Sequence, residues 1–299
     1  MAAFVGHEFS FYRLRFAFRA EGRVHFAKMA ANTLRGAFGY ALRAAAGEQE
    51  FQAIFVPGAA DPHPSGLADL PRPFVFRSAH LDGVTIEPGQ SLCFDVNLFE
   101  TRRPPVETFA AAFHMMGQRG IGAGSSRMEL REMRHVDLEG QIVRDPIGPL
   151  VLSLSPCPAA VEAVSVDFLT PTELKWQAQV VWEPLFPILF ARVRDRIATL
   201  RALYGGGALD IDFRAMGERA SAIRMTASAI RFLEATRRSS RTGQRHPIGG
   251  FAGWADYEGP LAEFLPWLQA AAFTGVGRQT TWGKGEIRVR AGKHSRGSR

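Results

Sequence analysis

The sequence predicts an α+β protein built from two tandem ferredoxin-like (RRM-like, βαββαβ) domains. Two observations lead to this prediction. The order strand, helix, strands, helix, strand occurs twice along the chain, and a proline-rich stretch, Asp145 to Ala160, separates the two occurrences. A length of 299 residues is enough for two hydrophobic cores. We therefore expect one domain over residues 1–150 and a second over residues 151–299, although no repeat at the level of sequence relates them.

The first half begins with an alternating segment, Phe9 to Arg19, which is typical of a half-buried strand. A helix is expected over about Phe26 to Ala46, ended by Gly47, and residues 56–73 have the composition of a loop. The remaining expected elements are strands at Phe74–Ser78 and Ser91–Phe99, a helix at Pro105–Gln118, and strands at Met128–Val136 and Gln141–Val143.

The second half repeats this order. A strand is expected at Val161–Leu169, and a helix at Pro184–Tyr204 that ends in three glycines. The remaining expected elements are strands at Leu209–Phe213, Ala227–Leu233 and Gly249–Glu258, a helix at Pro260–Phe273, and a last strand at Thr280–Arg290.

Composition excludes several classes of protein. The chain is 46% hydrophobic and 22% charged, and it has neither a signal peptide nor an apolar stretch of membrane-spanning length. We therefore expect a cytoplasmic protein without a membrane partner. Two cysteines, Cys93 and Cys157, cannot build a disulfide framework or a cysteine-based zinc site. Asp210 and Asp212 alternate with apolar residues, which favours a strand over a metal site, and we expect no metal or cofactor.

The basic charge is concentrated near the carboxy terminus. The chain has a formal net charge of +7, and residues 237–299 alone contain 11 basic and 4 acidic residues, a difference of +7. The 32 arginines outnumber the 4 lysines, and guanidinium groups match the geometry of phosphates. This local excess predicts a polyanionic partner.

The most specific local pattern is a glycine-rich loop over residues 275–285. Backbone N–H groups of such a loop can surround an anion, and two cations in it can pair with phosphates. The alternative is a turn that only joins a helix to a strand. We expect the loop to contact a ligand through Gly275, Gly277, Arg278, Gly283, Lys284 and Gly285.

Two further regions are candidates for the same ligand. A basic cluster precedes the last helix and contains Arg237, Arg238, Arg241, Arg245 and His246, although a charge run is often only a solvated loop. The first helix carries Arg35 and Arg43 on the same face as Gly36 and Gly39. Two glycines inside a helix cost about 1 kcal/mol each relative to alanine, so another backbone or a ligand must approach them closely.

The pattern Gly-apolar-Gly-x5-Gly-x-Gly near the carboxy terminus resembles the glycine-rich loop of the RAMP superfamily of CRISPR-associated RNA-binding proteins, although Lys284 replaces its usual apolar residue. More closely, the chain resembles the CRISPR endoribonuclease that cuts precursor CRISPR RNA. Shorter similar segments are spread along the chain: Leu34–Gly39, Phe168–Pro171, Arg238–Arg241 and Pro247–Gly250. The resemblance implies two ferredoxin-like domains and binding of CRISPR repeat RNA, both precursor and mature guide, with other effector-complex subunits as further partners.

The resemblance also implies metal-independent cleavage, in which a 2′-OH attacks the adjacent phosphate and leaves 2′,3′-cyclic phosphate and 5′-OH ends. In related proteins a histidine in or near the first helix often assists this step. His25 is the candidate here, with Lys28 to stabilise developing charge, while Tyr40 lies where related sequences can carry histidine. Two alternatives stay open: a non-catalytic RNA-binding RAMP subunit, and a small-molecule or anion-binding protein on the same scaffold.

Overall fold

The structure is a computed structural model that describes residues 7–58, 70–122, 124–144, 148–234, 236–238, 245–247 and 249–294. The helices are α1 Ala30–Phe55, α2 Val106–Arg119, α3 Phe186–Tyr204, α4 Phe213–Ala220 and α5 Leu265–Thr274. The strands are β1 Glu8–Ala20, β2 Val24–His25, β3 Phe74–Arg77, β4 Thr85–Ile86, β5 Ser91–Leu98, β6 Met128–Val136, β7 Ile142–Val143, β8 Leu150–Ser153, β9 Ala163–Thr172, β10 Leu174–Trp176, β11 Gln179–Val181, β12 Arg224–Leu233, β13 Thr236–Arg238, β14 Arg245–Pro247, β15 Gly250–Glu258 and β16 Ile287–Ala291.

The first domain is an antiparallel sheet with α1 and α2 on one face. Its strand order is β3-β5-β1-β6-β7, and β8 also pairs with β1. Because side chains alternate along β1, Leu14, Phe16 and Phe18 point into a core shared with Phe38 of α1 and Phe113 of α2. The order β1, α1, β3, β5, α2, β6 is the predicted βαββαβ.

The second domain repeats the arrangement with the strand order β12-β15-β9-β16. One face of this sheet packs on α3 and α5 through Val166, Phe168 and Tyr257, among other residues. The order β9, α3, β12, β15, α5, β16 is again βαββαβ, so the two ferredoxin-like domains expected from the sequence are present.

The domains are joined by a shared core and by arginine hydrogen bonds at the end of α5. Phe9 and Phe11, at the start of β1, lie in the hydrophobic core of the second domain. At the end of α5, Arg77 donates to the carbonyl oxygens of Ala272 (3.1 Å) and Phe273 (2.8 Å). Arg196 donates to the carbonyl of Thr274 at 3.0 Å, and burial, aided by the nearby Arg77, lowers its pKa to about 9. These contacts fix the sheet of the first domain against the end of α5.

Several expected elements differ from the structure. The expected strand Leu209–Phe213 is wrong, because Asp212 caps α4 by accepting hydrogen bonds from the backbone N–H groups of Arg214 and Ala215. The proline-rich stretch contains a strand, β8, rather than only a linker. The last strand begins at Ile287 rather than Thr280, after a 3₁₀ turn over Thr280–Trp282. The first helix begins later than expected and resumes after a break at Gly47, where φ is 74° and ψ is 172°.

In the part of the chain that the structure describes, no helix has both the length and the apolar character needed to span a membrane.

Candidate functional site

His25 lies on the short strand β2, just before α1. This strand pairs with β4, and the pairing places His25 opposite Thr85. The imidazole is exposed, and its Nδ1 lies 2.9 Å from Oγ1 of Thr85. When Nδ1–H donates to the Thr85 hydroxyl, Nε2 carries the lone pair and can accept a proton from a ligand. The local structure therefore presents a histidine in an orientation suited to a general base.

The amino terminus of α1 is capped from a neighbouring segment. Asp82 Oδ1 accepts a hydrogen bond of 2.7 Å from the backbone N–H of Ala30, the first residue of the helix. Burial raises the pKa of Asp82 to about 6, partly opposed by that hydrogen bond, while the charge of Glu286 raises it further. The helix start is thus positioned by a titratable group at the boundary with the second domain.

The other two catalytic candidates lie at different distances from His25. Lys28 is exposed two residues before α1, on the same connection as His25. Tyr40 is 61% exposed and follows Ala30 by ten residues, which is about 15 Å along the helix. His25 and Lys28 can therefore act on one phosphate, whereas Tyr40 is placed to meet a different part of a long ligand.

The glycine-rich loop, residues 275–285, faces the protein interior. A Cβ on Gly277 would lie 2.3 Å from the carbonyl oxygen of Glu173, and a Cβ on Gly285 would lie 1.9 Å from that of Val276. A Cβ on Gly283 would lie 2.5 Å from Cβ of Ala31, in α1. Positive φ at all three positions also favours glycine. These glycines allow close packing of the loop against Glu173, just after β9, against itself and against α1.

Backbone N–H groups of this loop are already used within the protein. The N–H of Val276 donates to the carbonyl of Gly285, that of Arg278 to Glu173, and that of Gly285 to Pro171, at 2.9 to 3.1 Å. An amide that donates internally cannot also surround an anion, so the expected anion-binding arrangement is not formed by these groups. Gly275, Gly277, Gly283 and Gly285 thus have a packing role, and their contact with RNA stays a prediction.

Lys284 likewise points inward. It is fully buried, with Nζ 2.9 Å from Glu173 Oε2 and 3.0 Å from Gln279 Oε1. Burial lowers the pKa of its ammonium, and Glu173 only partly offsets this effect. Its expected contact with phosphate does not fit this placement. Arg278 is the cation of the loop that remains exposed, although it pairs with Glu173 Oε1 at 2.8 Å.

The two arginines of α1 have different environments. Arg35 is buried, with its guanidinium 4.6 Å from the ring of Phe55 and 5.1 Å from the ring of Trp282. It therefore links α1 to the glycine-rich loop instead of facing solvent, in contrast to the expectation. Arg43 is exposed and forms an ion pair of 2.8 Å with Glu48, so it remains available at the surface.

The basic cluster before the last helix lies partly on a β-hairpin. Strands β13 and β14 pair with Arg237 opposite His246 and Arg238 opposite Arg245. Arg241 lies outside the described residues. β13 follows β12 and β14 precedes β15 along the chain, so this hairpin continues the β12–β15 strand pair beyond Leu233 and Gly250.

A cleft between the domains was not foreseen from the sequence. Its volume is about 830 Å³, and Arg13, Arg77 and Arg288 line it together with Asn97 and Glu286. Arg13 lies on the sheet face opposite the first core, and its ion pair with Asp95 has a distance of 2.8 Å. The alternation of Arg13, Arg15 and Arg19 along β1 is the signal that could have revealed a basic sheet face.

No three His, Cys, Asp or Glu side chains are grouped as metal ligands in the described ranges.

Comparisons with known proteins cover both domains. Residues 166–287 match the model of the CRISPR-associated endoribonuclease Cas6 family, and residues 9–150 match a model described as an N-terminal domain, AF_1859_N. No curated protein sequence matches the chain significantly.

Solved structures match over nearly the whole chain. A Cas6 product complex is 17% identical, covering 94% of this chain and 100% of that one with a TM-score of 0.61. Thermus thermophilus Cas6 is 16% identical, covering 94% and 99% with a TM-score of 0.56. A partial Cas6-RT-Cas1–Cas2 complex is 11% identical, covering 95% of this chain and 46% of that chain with a TM-score of 0.61. At these identities the likeness establishes the tandem fold.

Proposed function

We propose that this chain, whose residues 166–287 form a Cas6-family domain, is a metal-independent endoribonuclease that cuts CRISPR repeat RNA into guide RNAs. The family match supports RNA cleavage in general, and the exposed His25 beside the start of α1 supports the catalytic assignment. A cytoplasmic location, retention of the cut RNA and transfer to other effector subunits are predictions that follow from this function.

The reaction requires a base, a proton donor and stabilisation of charge. Neutral His25 accepts the proton of the ribose 2′-OH at Nε2 while the 2′ oxygen attacks phosphorus. The bond from phosphorus to the 5′ oxygen breaks, giving a 2′,3′-cyclic phosphate and a 5′ oxygen that takes a proton from solvent or from the protonated imidazole. The ammonium of Lys28, three residues along the chain, stabilises negative charge on the phosphate oxygens.

RNA binding needs a longer surface than His25 and Lys28 provide. Tyr40 and Arg43 continue along the exposed face of α1, and Tyr40 offers an aromatic ring on which a base can stack. Arg278 and the hairpin with Arg237, Arg238, Arg245 and His246 supply further phosphate contacts in this proposal. Several such contacts predict that affinity falls steeply as salt concentration rises.

The decisive experiment is single-turnover cleavage of labelled repeat RNA in EDTA, with product ends identified chemically. We expect cleavage, and we expect His25→Ala to lower its rate by about 100-fold or more with RNA affinity retained. His114→Ala is the matched control, because His114 is also exposed but lies on α2. Tyr40→Phe keeps the ring and should cut normally.

Two results would contradict the proposal. Binding without cleavage by the unaltered protein would favour the non-catalytic RNA-binding subunit. Equal rates for His25→Ala and His114→Ala would remove His25 as the base while leaving the nuclease function intact.

A further inference from the structure

The second sheet has a face that is not covered by α3 and α5. These helices pack against the face that carries Val166, Tyr257 and Ile287. Because side chains alternate, Asp167, Trp254 and the β16 arginines point to the opposite face. Trp254 lies on β15, one of the two central strands in the order β12-β15-β9-β16. Four-stranded sheets of this kind bind unpaired bases by stacking them on aromatic side chains of the central strands.

The ring of Trp254 is occupied by a side chain from the end of the described chain. The imidazole of His294 lies 4.5 Å from the Trp254 ring, with an angle of 7° between the planes. This is the geometry of a planar heteroaromatic ring stacked on an indole, as a nucleobase would be. His294 follows β16 by only three residues, so a short segment carries it onto the sheet.

The segment after β16 is anchored through Gly292 and Lys293, whereas few contacts hold His294 itself. The backbone N–H of His294 donates to Asp256 Oδ1 at 3.0 Å, and Arg290 donates to His294 Nδ1 at 2.8 Å. Arg290 also contacts Asp167 at 2.8 Å. The imidazole ring is therefore held by Arg290, by the Asp167 carboxylate 3.7 Å from Nδ1, and by stacking. A ligand that offers a larger ring can replace it without disturbing the core.

Cations flank Trp254 on both sides. Arg231 lies on β12, next to β15, and Arg288 lies on β16, two strands away, which places them about 5 and 10 Å from the Trp254 strand. Both are exposed and have no ion pair or hydrogen bond among the described residues. Arg288 also lines the cleft between the domains, so the cleft and this face are continuous.

We propose that this face binds an unpaired nucleotide of RNA, with its base stacked on Trp254 in the place of His294 and its phosphates near Arg231 and Arg288. The segment that carries His294 then acts as a displaceable cover. The proposal rests on the proposed RNA-processing function, and it adds a site for a single-stranded part of the RNA away from the cutting site at His25.

The test uses a fluorescently labelled eight-nucleotide oligouridylate, which has no cleavable repeat, and measures its affinity by anisotropy. We expect Trp254→Ala to weaken binding by about 5- to 150-fold, the usual effect of removing one stacked base. Trp254→Phe should keep most of the affinity. His294→Ala should tighten binding by about 2- to 10-fold, because the base no longer displaces a ring. Trp182→Ala is the control, since Trp182 is exposed elsewhere and makes an edge-to-face contact with Phe232.

Three results would overturn the proposal: no binding of the oligouridylate by the unaltered protein, equal weakening by Trp254→Ala and Trp182→Ala, or weaker binding after His294→Ala. The His294 variant removes only a surface ring, so the outcome does not depend on how well Trp254→Ala folds. Cleavage of repeat RNA, measured in parallel, reports on the proposed function separately. Normal cleavage with oligouridylate binding insensitive to Trp254 would reject this site alone.

Discussion

Gly36 and Gly39 lie in α1 before its break at Gly47, and we expect their replacement by alanine to change stability in opposite directions. A Cβ on Gly36 would have no other atom within 4 Å, so Gly36→Ala adds a methyl group to open space. Alanine is favoured over glycine inside a helix by about 0.5–1 kcal/mol. We therefore expect Gly36→Ala to raise the free energy of unfolding by that amount, or the melting temperature by about 2 °C.

Gly39 is the matched control in the same helix. Its Cβ would lie 2.5 Å from Cζ of Phe55, and that ring is held between the guanidinium of Arg35, 4.6 Å away, and the stacked ring of Phe51, 5.4 Å away. Since the ring cannot move freely, we expect Gly39→Ala to destabilise the protein by about 1–3 kcal/mol. Gly39 is thus explained by packing.

Packing does not explain why glycine, which destabilises a helix relative to alanine, stands at position 36. We therefore infer that RNA approaches the helix closely at Gly36. We expect Gly36→Ala to lower the affinity for repeat RNA although it raises stability. Thermal unfolding and RNA titration on the same preparations check both effects. A lower melting temperature for Gly36→Ala would refute the steric reasoning. Unchanged RNA affinity would show that the RNA does not approach the helix at this point.

Two further predictions concern the surroundings of His25. Thr85→Val removes the hydroxyl beside Nδ1 of His25, so we expect slower cleavage and a changed dependence of the cleavage rate on pH. Thr85→Ser should restore both. A valine variant with an unaltered pH profile would contradict a positioning role for Thr85. Asp82 has a folded-state pKa of about 6, above its ordinary value of 3.8, so the folded state holds the proton more tightly between those values. Stability should therefore fall as pH rises from about 4 to 6, and Asp82→Asn, which keeps the helix cap, should remove that part of the slope in urea titrations at each pH. An identical slope in both proteins would count against the raised pKa.

Element order could be predicted because it depends on local patterns. The alternation along β1 and the length of α3 are written into contiguous residues, and both elements lie where expected. The prediction of a strand at Leu209–Phe213 was wrong because the alternation of apolar and acidic residues there also fits a loop followed by a helix. Asp212 decides between them by capping α4, and a cap depends on three-dimensional hydrogen bonds that periodicity does not show.

The candidate site was harder to predict because the sequence does not show which charged side chains are buried. Arg35 and Lys284 both looked like ligands for phosphate, yet one packs between aromatic rings and the other pairs with Glu173. Trp282, which contacts Arg35, and Glu173, which pairs with Lys284, come from distant parts of the chain, so no local pattern could have identified them. The exposure of His25, in contrast, follows from its position on a short strand at the edge of the fold.

The glycine-rich loop therefore contributes to RNA cleavage, in our interpretation, by positioning α1. Gly283 allows the loop to contact Ala31, and Trp282 receives the guanidinium of Arg35, so the loop holds the first turns of the helix from the second domain. His25 lies on the connection that enters this helix. Replacing the loop glycines by larger residues should thus disturb the orientation of His25, even where no contact with RNA is lost. On this reasoning, the need to bring the two domains together near His25 explains the glycines of the loop, and the proposed binding of RNA to both domains explains the excess of arginine.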